Sequence, residues 1–426
     1  MDNTKQYTAN VWLKTFIFFL LISVTQLTLN AQNAWPSQAW TSAVNLTPVI
    51  DATSGLTELS GLHWNPDLNR LYVIDDHGNM YILALNINTN TFTRIGTVAG
   101  LGGPEGVTQI DYTTNEFYTI DETSYQIRKY THSASFSNVI LSNSWNLLGS
   151  SSPMTDTGNT GPEGITFIPD SYLKSIGFIS TSTGAAYTST KGMGGLIFLA
   201  HQKKGYVWVF DLNPTVSNDF TYVGKYKTNE DESCDLAFDR STGLLYILHN
   251  TGSNYLEVTN LSTSIVSGER KFVTKNEYNL PQPSGNTNIE GFAITPKCDD
   301  STHVSAWLCR DVASDESTSY QQDCLRWFTP FTADGACKKS TDNEEIINNA
   351  IKISPNPANN KICISVPEIL QTKVVIKLYN LIGLLVMSGW FENQQQVFDI
   401  SSLTKGVYIV ETNVNGHIFT KRLIKN

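Results

Sequence analysis

Beyond residue 30 the chain carries no long run with a 3.6-residue hydrophobic period. It carries many short runs rich in Val, Ile, Tyr, Phe and Thr, set between clusters of Gly, Asn, Asp and Ser. That alternation is the pattern of strands joined by tight turns. Five of the runs start alike: "LSGLHWNP", "PEGVTQID", "PEGITFIP", "SCDLAFD" and "IEGFAITP". Gly61, Gly106, Gly164, Asp235 and Gly291 share one position in them. A second strand ending in polar residues follows each start: "LYVIDD", "FYTIDE", "IFLAHQ", "LYILHN" and "AWLCRD". Third strands follow in most units, and fourth strands fit "TFTRIGTV", "FTYVGKY" and "KFVTK". A repeat of about 45 to 70 residues, each of three or four antiparallel strands, predicts a β-propeller. Such units cannot bury both faces alone and pack in a ring. Five blades are expected, with "AVNLTPVID" (43–51) completing the last one; a sixth, degenerate blade and a sandwich of the same strands are the alternatives. The insertion 170–195 reads as a surface loop.

The two ends of the chain read differently. Lys5 and Lys14 precede an apolar run, Phe16 to Leu29, which predicts a signal peptide over 1–31. The run is shorter than the roughly 20 residues of a membrane span, and no later segment is expected to cross a bilayer. The middle of the chain (32–345) holds 19 basic and 34 acidic residues, and the last 81 hold 8 and 4. The acidic middle excludes nucleic acid as the natural partner and suits cations.

In a blade the innermost strand starts, and the second strand ends, at the same mouth of the central channel. Glu105, Glu163 and Glu290 immediately precede the shared glycine. Ser60 and Cys234 stand there in units one and four, with Glu58 and Glu232 two residues earlier, on the same side of a strand. The second-strand ends bring Asp75, Asp121, His201, His249 and Arg310 to that mouth, with Asp76, Glu122, Gln202, Asn250 and Asp311 beside them. Carboxylates facing one channel raise one another's pKa unless a cation compensates them. Oxygen donors with few Cys or His favour Ca2+ over a transition metal, with Glu105, Glu163 and Glu290 as its ligands. The competing reading makes each glutamate a cap for backbone N–H groups. No G-x-S-x-G, H-E-x-x-H or zinc spacing is present.

Four of the six cysteines lie within 40 residues, as fits an exported protein. Antiparallel geometry predicts the pairs Cys309–Cys324 and Cys298–Cys337, leaving Cys234 and Cys363 free. After Cys337 a polar linker (338–345) leads to a strand-rich segment, 346–426, that alternates like a small immunoglobulin-like β-sandwich.

Two resemblances follow from these motifs. The [SE]-G-[LI] starts and the L-Y-[VI]-[LI]-[DH] second strands make residues 43–335 resemble the SdiA-regulated, phytase-like esterase propellers. The resemblance implies a calcium-associated propeller whose mouth binds a ligand, or one that hydrolyses phosphoesters or carboxylesters. It places Glu105, Glu163 and Glu290 in the site, and Cys234-Asp235 departs from its pattern. The tail resembles the type A C-terminal sorting domain of type IX secretion in Bacteroidota. Ser354-Pro355-Asn356-Pro357, Asn380, Gly383, Leu403, Gly406-Val407-Tyr408, Lys421, Leu423 and Lys425 carry that likeness. It implies the type IX machinery as partner, passage through the periplasm, removal of the tail, and attachment at the surface or release. Three functions stay open: a ligand- or Ca2+-binding propeller, a metal-dependent hydrolase, and a scaffold for protein or glycan partners. A mouth closed by salt bridges to Arg310 would favour the scaffold.

Overall fold

The computed structural model describes residues 32–149, 151–252, 254–285, 287–299, 304–337, 351–366, 373–381, 383–414 and 417–426. The expected signal peptide and the expected linker lie outside the described residues.

A two-residue strand, β1 (Val44–Asn45), comes first. Blade one is β2 (Leu59–Asn65), β3 (Arg70–Asp75), β4 (Asn79–Asn86) and β5 (Thr91–Ala99). Blade two is β6 (Pro104–Thr108), β7 (Glu116–Asp121), β8 (Gln126–His132) and β9 (Val139–Asn146). Blade three is β10 (Pro162–Pro169), β11 (Gly195–His201), β12 (Tyr206–Leu212) and β13 (Phe220–Lys227). Blade four is β14 (Asp235–Asp239), β15 (Leu244–His249), β16 (Tyr255–Val266) and β17 (Glu269–Asn279). Blade five has only β18 (Ile289–Ile294), β19 (Ala306–Arg310) and β20 (Leu325–Phe328) of its own. Its outer strand is β1, which pairs antiparallel with β20, Val44 opposite Trp327 and Asn45 opposite Arg326. The N-terminal segment therefore completes the last blade and closes the ring, as the sequence predicts.

The period-two alternation explains why the blades stack. In β3, Leu71 and Val73 enter a core shared with blade five, while Tyr72 and Ile74 enter one shared with blade two. The same alternation repeats around the ring and yields five inter-blade cores, one for each neighbouring pair. Inner strands are buried on both faces and read as continuous apolar runs; all seven residues of β11 are buried. Five interfaces close a ring of five blades and leave no place for a sixth.

The insertion 170–195 is a correction. It is not simply a surface loop: it opens with a short helix, Asp170–Ile176, ended by Gly177 in the left-handed conformation. Leu173 and Phe178 bury fully against the core between blades three and four.

The cysteines need a second correction. Cys298–Cys337 forms, with Cα atoms 5.4 Å apart. Cys309 and Cys324 stay free and buried. The register places Cys309 opposite Leu325, one residue past Cys324. That offset turns the Cys324 thiol toward the carbonyl of Leu56, 3.1 Å away. The surviving disulfide closes a loop of sequence separation 39 at the ring's last blade. Loop-closure entropy makes it worth about 3 to 4 kcal/mol. Cys298→Ser is therefore expected to lower the unfolding midpoint measurably, and a reducing agent should shift the wild-type chain to the same value and leave the variant unmoved.

The tail forms two facing sheets. One is β21 (Lys352–Ser354), β22 (Lys361–Ser365) and β25 (Gln395–Asp399). The other is β23 (Val374–Asn380), β24 (Leu385–Phe391), β26 (Gly406–Val414) and β27 (His417–Lys425). Ile362, Ile364, Ile376, Leu378, Val410 and Leu423 are among the residues of the shared core. The signature residues meet at one end. The Asn356 side chain donates to the Arg422 carbonyl and accepts from the Ile424 N–H. Gly406 sits opposite Lys425 in the register, and the Tyr408 hydroxyl donates to the Thr404 carbonyl.

Candidate functional site

The five aligned starts form a tight ring around the propeller axis. A Cβ built on Gly61 would lie 2.6 Å from the Glu105 carbonyl oxygen, and one on Gly106 2.6 Å from that of Glu163. On Gly164 it would lie 2.4 Å from the Asp235 Cα, and on Gly291 3.3 Å from the Gly61 carbonyl carbon. At Gly61, Gly106 and Gly164 the inner strands thus approach backbone to backbone with no room for a Cβ, while a Cβ on Gly291 would first meet the Cys309 Sγ at 2.3 Å. Asp235 is the one side chain at this level. Its Oδ2 accepts from the Phe292 N–H of blade five at 2.8 Å, its Oδ1 from Leu236, and the Leu62 N–H of blade one also bonds to it. Burial pushes its carboxyl well up, against these donors. What reads in the sequence as a break in the repeat is a polar plug across the axis.

Glu105, Glu163 and Glu290 gather on the mouth side of this ring. Burial is the largest influence on each. It pushes Glu105 up to about 8, opposed by a hydrogen bond from Ser60 and reinforced by Glu122, Asp76 and Asp121. Glu163 is pushed well up by burial, then by Glu290, Glu105, Glu122 and Glu232. Glu290 is pushed well up by burial, then by Asp311 and Glu105, with partial relief from Asn288, whose Nδ2 donates to it at 2.7 Å. Glu58 and Asp311 face one another on the rim and both are raised, chiefly by burial. Glu122 is raised by burial, while the Gly161 N–H and a hydrogen bond from Glu163 lower it. The main influences on the three central glutamates are thus burial and other acids. Among the described residues, no three His, Cys, Asp or Glu side chains already converge as metal ligands.

Other expected site residues play different parts. Asp75 is occupied by the Asn79 N–H at 2.8 Å and the Tyr81 hydroxyl at 3.0 Å, and is a turn cap. Asp121 pairs with Arg128 at 2.6 Å and also accepts from Ser124. Among the described residues Arg310 pairs with the Asp323 carboxylate, 3.3 Å away, and with none of the glutamates. Strand alternation puts it on the Leu308 side, where its guanidinium bonds the Asp323 and Ser284 carbonyl oxygens and lies over the Trp40 ring. His201 is buried beside Trp208, and burial with Lys203 and Lys225 drives it down to about 4. Glu232 lies at the mouth, raised by burial and lowered by His249.

His249 faces inward to Glu257, Nε2 to Oε2 3.2 Å, with Nδ1 2.8 Å from the Glu232 carbonyl. Glu257 also accepts from the Asn229 N–H and the Thr274 hydroxyl. Burial works to raise Glu257, but His249, Thr274 and Asn229 outweigh it and hold it low. This buried pair was missed because Glu257 lies mid-way along a third strand, where a lone acid carries no signal.

The shifts set a pH dependence. The folded chain keeps a proton on Glu105 up to about pH 8 that the unfolded chain sheds near 4.5, so stability falls as pH rises through that window. His63, driven down to about 3, and His201 act in the opposite sense, but only below about 6.5. Between pH 6.5 and about 8 the acids act alone. The unfolding midpoint of the metal-free chain should fall across that interval, and Glu105→Gln should flatten the fall.

Comparison with known families follows this geometry. Residues 37–172 match the model of the SdiA-regulated family, and residues 352–426 match that of the secretion system C-terminal sorting domain. These are the two families that the sequence motifs resemble. The SdiA-regulated match spans blades one and two and the first strand of blade three, and so contains Glu58, Glu105 and Glu163. The sorting domain marks the chain for export to the cell surface or the medium, through the type IX machinery. No curated protein matches the chain. Solved structures similar to it include a luciferin-regenerating enzyme, 9% identical over 68% of this chain and 97% of that one, TM-score 0.36. A nidogen/laminin complex chain is 13% identical over 63% and 83%, TM-score 0.32. A Lactobacillus plantarum protein is 14% identical over 53% and 56%, TM-score 0.32. Likenesses this distant carry no argument about the site. No helix among the described residues is long and apolar enough to cross a membrane.

Proposed function

We propose that the exported propeller binds Ca2+, and through it a small-molecule or glycan ligand, at its acidic mouth. One observation carries this reading. Glu105, Glu163 and Glu290 are held near one another by three different blades, and burial and neighbouring acids push all three carboxyls up. An arrangement that costs stability at neutral pH and offers only oxygen donors fits a hard cation that would restore the charged forms. The side chains would turn toward one another to hold it. The tail would take the chain through the periplasm and across the outer membrane, and its removal would leave the propeller attached at the surface or released.

A second reading, metal-assisted hydrolysis of a phosphoester or carboxylester, draws on Glu105 alone. A carboxyl titrating at about 8 is matched to general acid–base work near neutral pH. The scaffold reading draws less support, since the ion pair Arg310 makes among the described residues is to Asp323 and not to a mouth glutamate. Thermal unfolding at pH 8 tests the primary proposal. Ca2+ should raise the wild-type midpoint, and Glu163→Gln/Glu290→Gln should raise it without Ca2+ and abolish the response. An unchanged wild-type midpoint in millimolar Ca2+ would remove the cation.

A further inference from the structure

The far half of the axis differs from the acidic mouth. Beyond the glycine ring and Asp235, all five inner strands line a small, partly open cavity. Its walls include His63, Thr108, Tyr112, Thr166, Phe167 and Arg240. Arg240 is the only cation among them. Its guanidinium lies 4.0 Å over the Tyr112 ring, and its Nη2 donates to the Gln109 carbonyl at 2.9 Å. Among the described residues its Nε is buried and has no partner, and the same holds for Nε2 of His63. Among the described residues Arg240 makes no ion pair. Asp239 also lines the cavity, but its oxygens are taken by Ser241, Thr242 and the Lys297 N–H. Asp67 and Asp299, the other acids near Tyr112, are exposed and screened.

Two buried nitrogens facing one cavity without acceptors leave hydrogen-bonding capacity unused, which folded proteins seldom tolerate. The cavity measures about 30 Å³, room for about two water-sized groups. That is the size of a carboxylate, whose planar pair of oxygens matches the edge of a guanidinium. We propose that this cavity is an anion site for a small carboxylate, bound through Arg240 Nε and His63 Nε2 with the Thr108 and Thr166 hydroxyls at its wall. His63 is driven down to about 3 by burial and then by Arg240, so its ring is neutral and would donate in the Nε2–H tautomer. The propeller would then carry ligands of opposite charge at the two ends of one axis, separated by the Asp235 plug.

Two measurements on the full chain test this. The first is anomalous diffraction from a crystal soaked in bromide, an anion close to water in size. A peak beside Arg240 Nε and His63 Nε2 is expected, and water alone there would overturn the proposal. The second is thermal unfolding in formate against methanesulfonate, an anion too large for the cavity, at equal ionic strength. A saturable rise in midpoint is expected for the wild type and its loss in Arg240→Gln. A rise of equal size in the variant, or none in the wild type, would overturn it. If Arg240→Gln does not fold, the bromide result decides.

Discussion

Gly164→Ala should lower the unfolding midpoint of the propeller by roughly 6 °C. The added methyl would sit 2.4 Å from the Asp235 Cα and 2.8 Å from the Cys234 carbonyl oxygen. Both are backbone atoms of an inner strand held by its own ladder, so neither can rotate aside. Overpacking against movable side chains costs about 1 to 3 kcal/mol, and contact with fixed backbone belongs at the upper end. At about 2 °C per kcal/mol for a domain of this size, the shift follows. Gly149→Ala is the control. Its nearest neighbour would be 3.7 Å away, and a change within about 0.5 kcal/mol is expected. Equal midpoints for the two variants would mean that the ring is looser than the strand spacing implies.

The second large effect is expected at Asp235. Asp235→Ala removes the acceptor for the Phe292 and Leu62 N–H groups, on the inner strands of blades five and one. A buried donor left unpaired costs about 1 to 3 kcal/mol, and the vacated volume adds to it. A loss of about 3 to 5 kcal/mol should appear as a lower denaturant midpoint at an unchanged slope. Asp235→Asn keeps one acceptor oxygen and should lose less than half as much. Asp235→Gly would restore the repeat's own residue and still destabilise, because glycine supplies no acceptor. If Asp235→Gly were neutral, the plug would have no structural role.

The arrangement of strands was legible because each blade repeats one signal. A small residue precedes an apolar run, and a second apolar run ends in polar residues. The closing strand was legible because blade five lacked a fourth strand and residues 43–51 had no other partner. The mouth glutamates were legible through position alone, since a residue beside the ring glycine has only one place to be. Residues whose direction depends on a single step of register were not legible. Cys324 falls one position short of the residue opposite Cys309, and no sequence pattern fixes that offset. Arg310 sits at the mouth end of its strand but alternates onto the Trp40 side. Asp75 and Asp121 carry the right charge at the right end, yet the turns that follow them use it up. Asp235 read as a defect because its donors come from blades far away in the chain.

The central claim is that the acids of three blades form one cation site. Calorimetric titration of the metal-free chain with Ca2+, repeated on Glu105→Gln/Glu163→Gln, tests it most directly. The account predicts saturable heat with the wild type, proton release that grows toward lower pH, and no binding by the double variant. Absence of binding by the wild type, or binding kept by the double variant, would contradict it and leave the glutamates as structural caps.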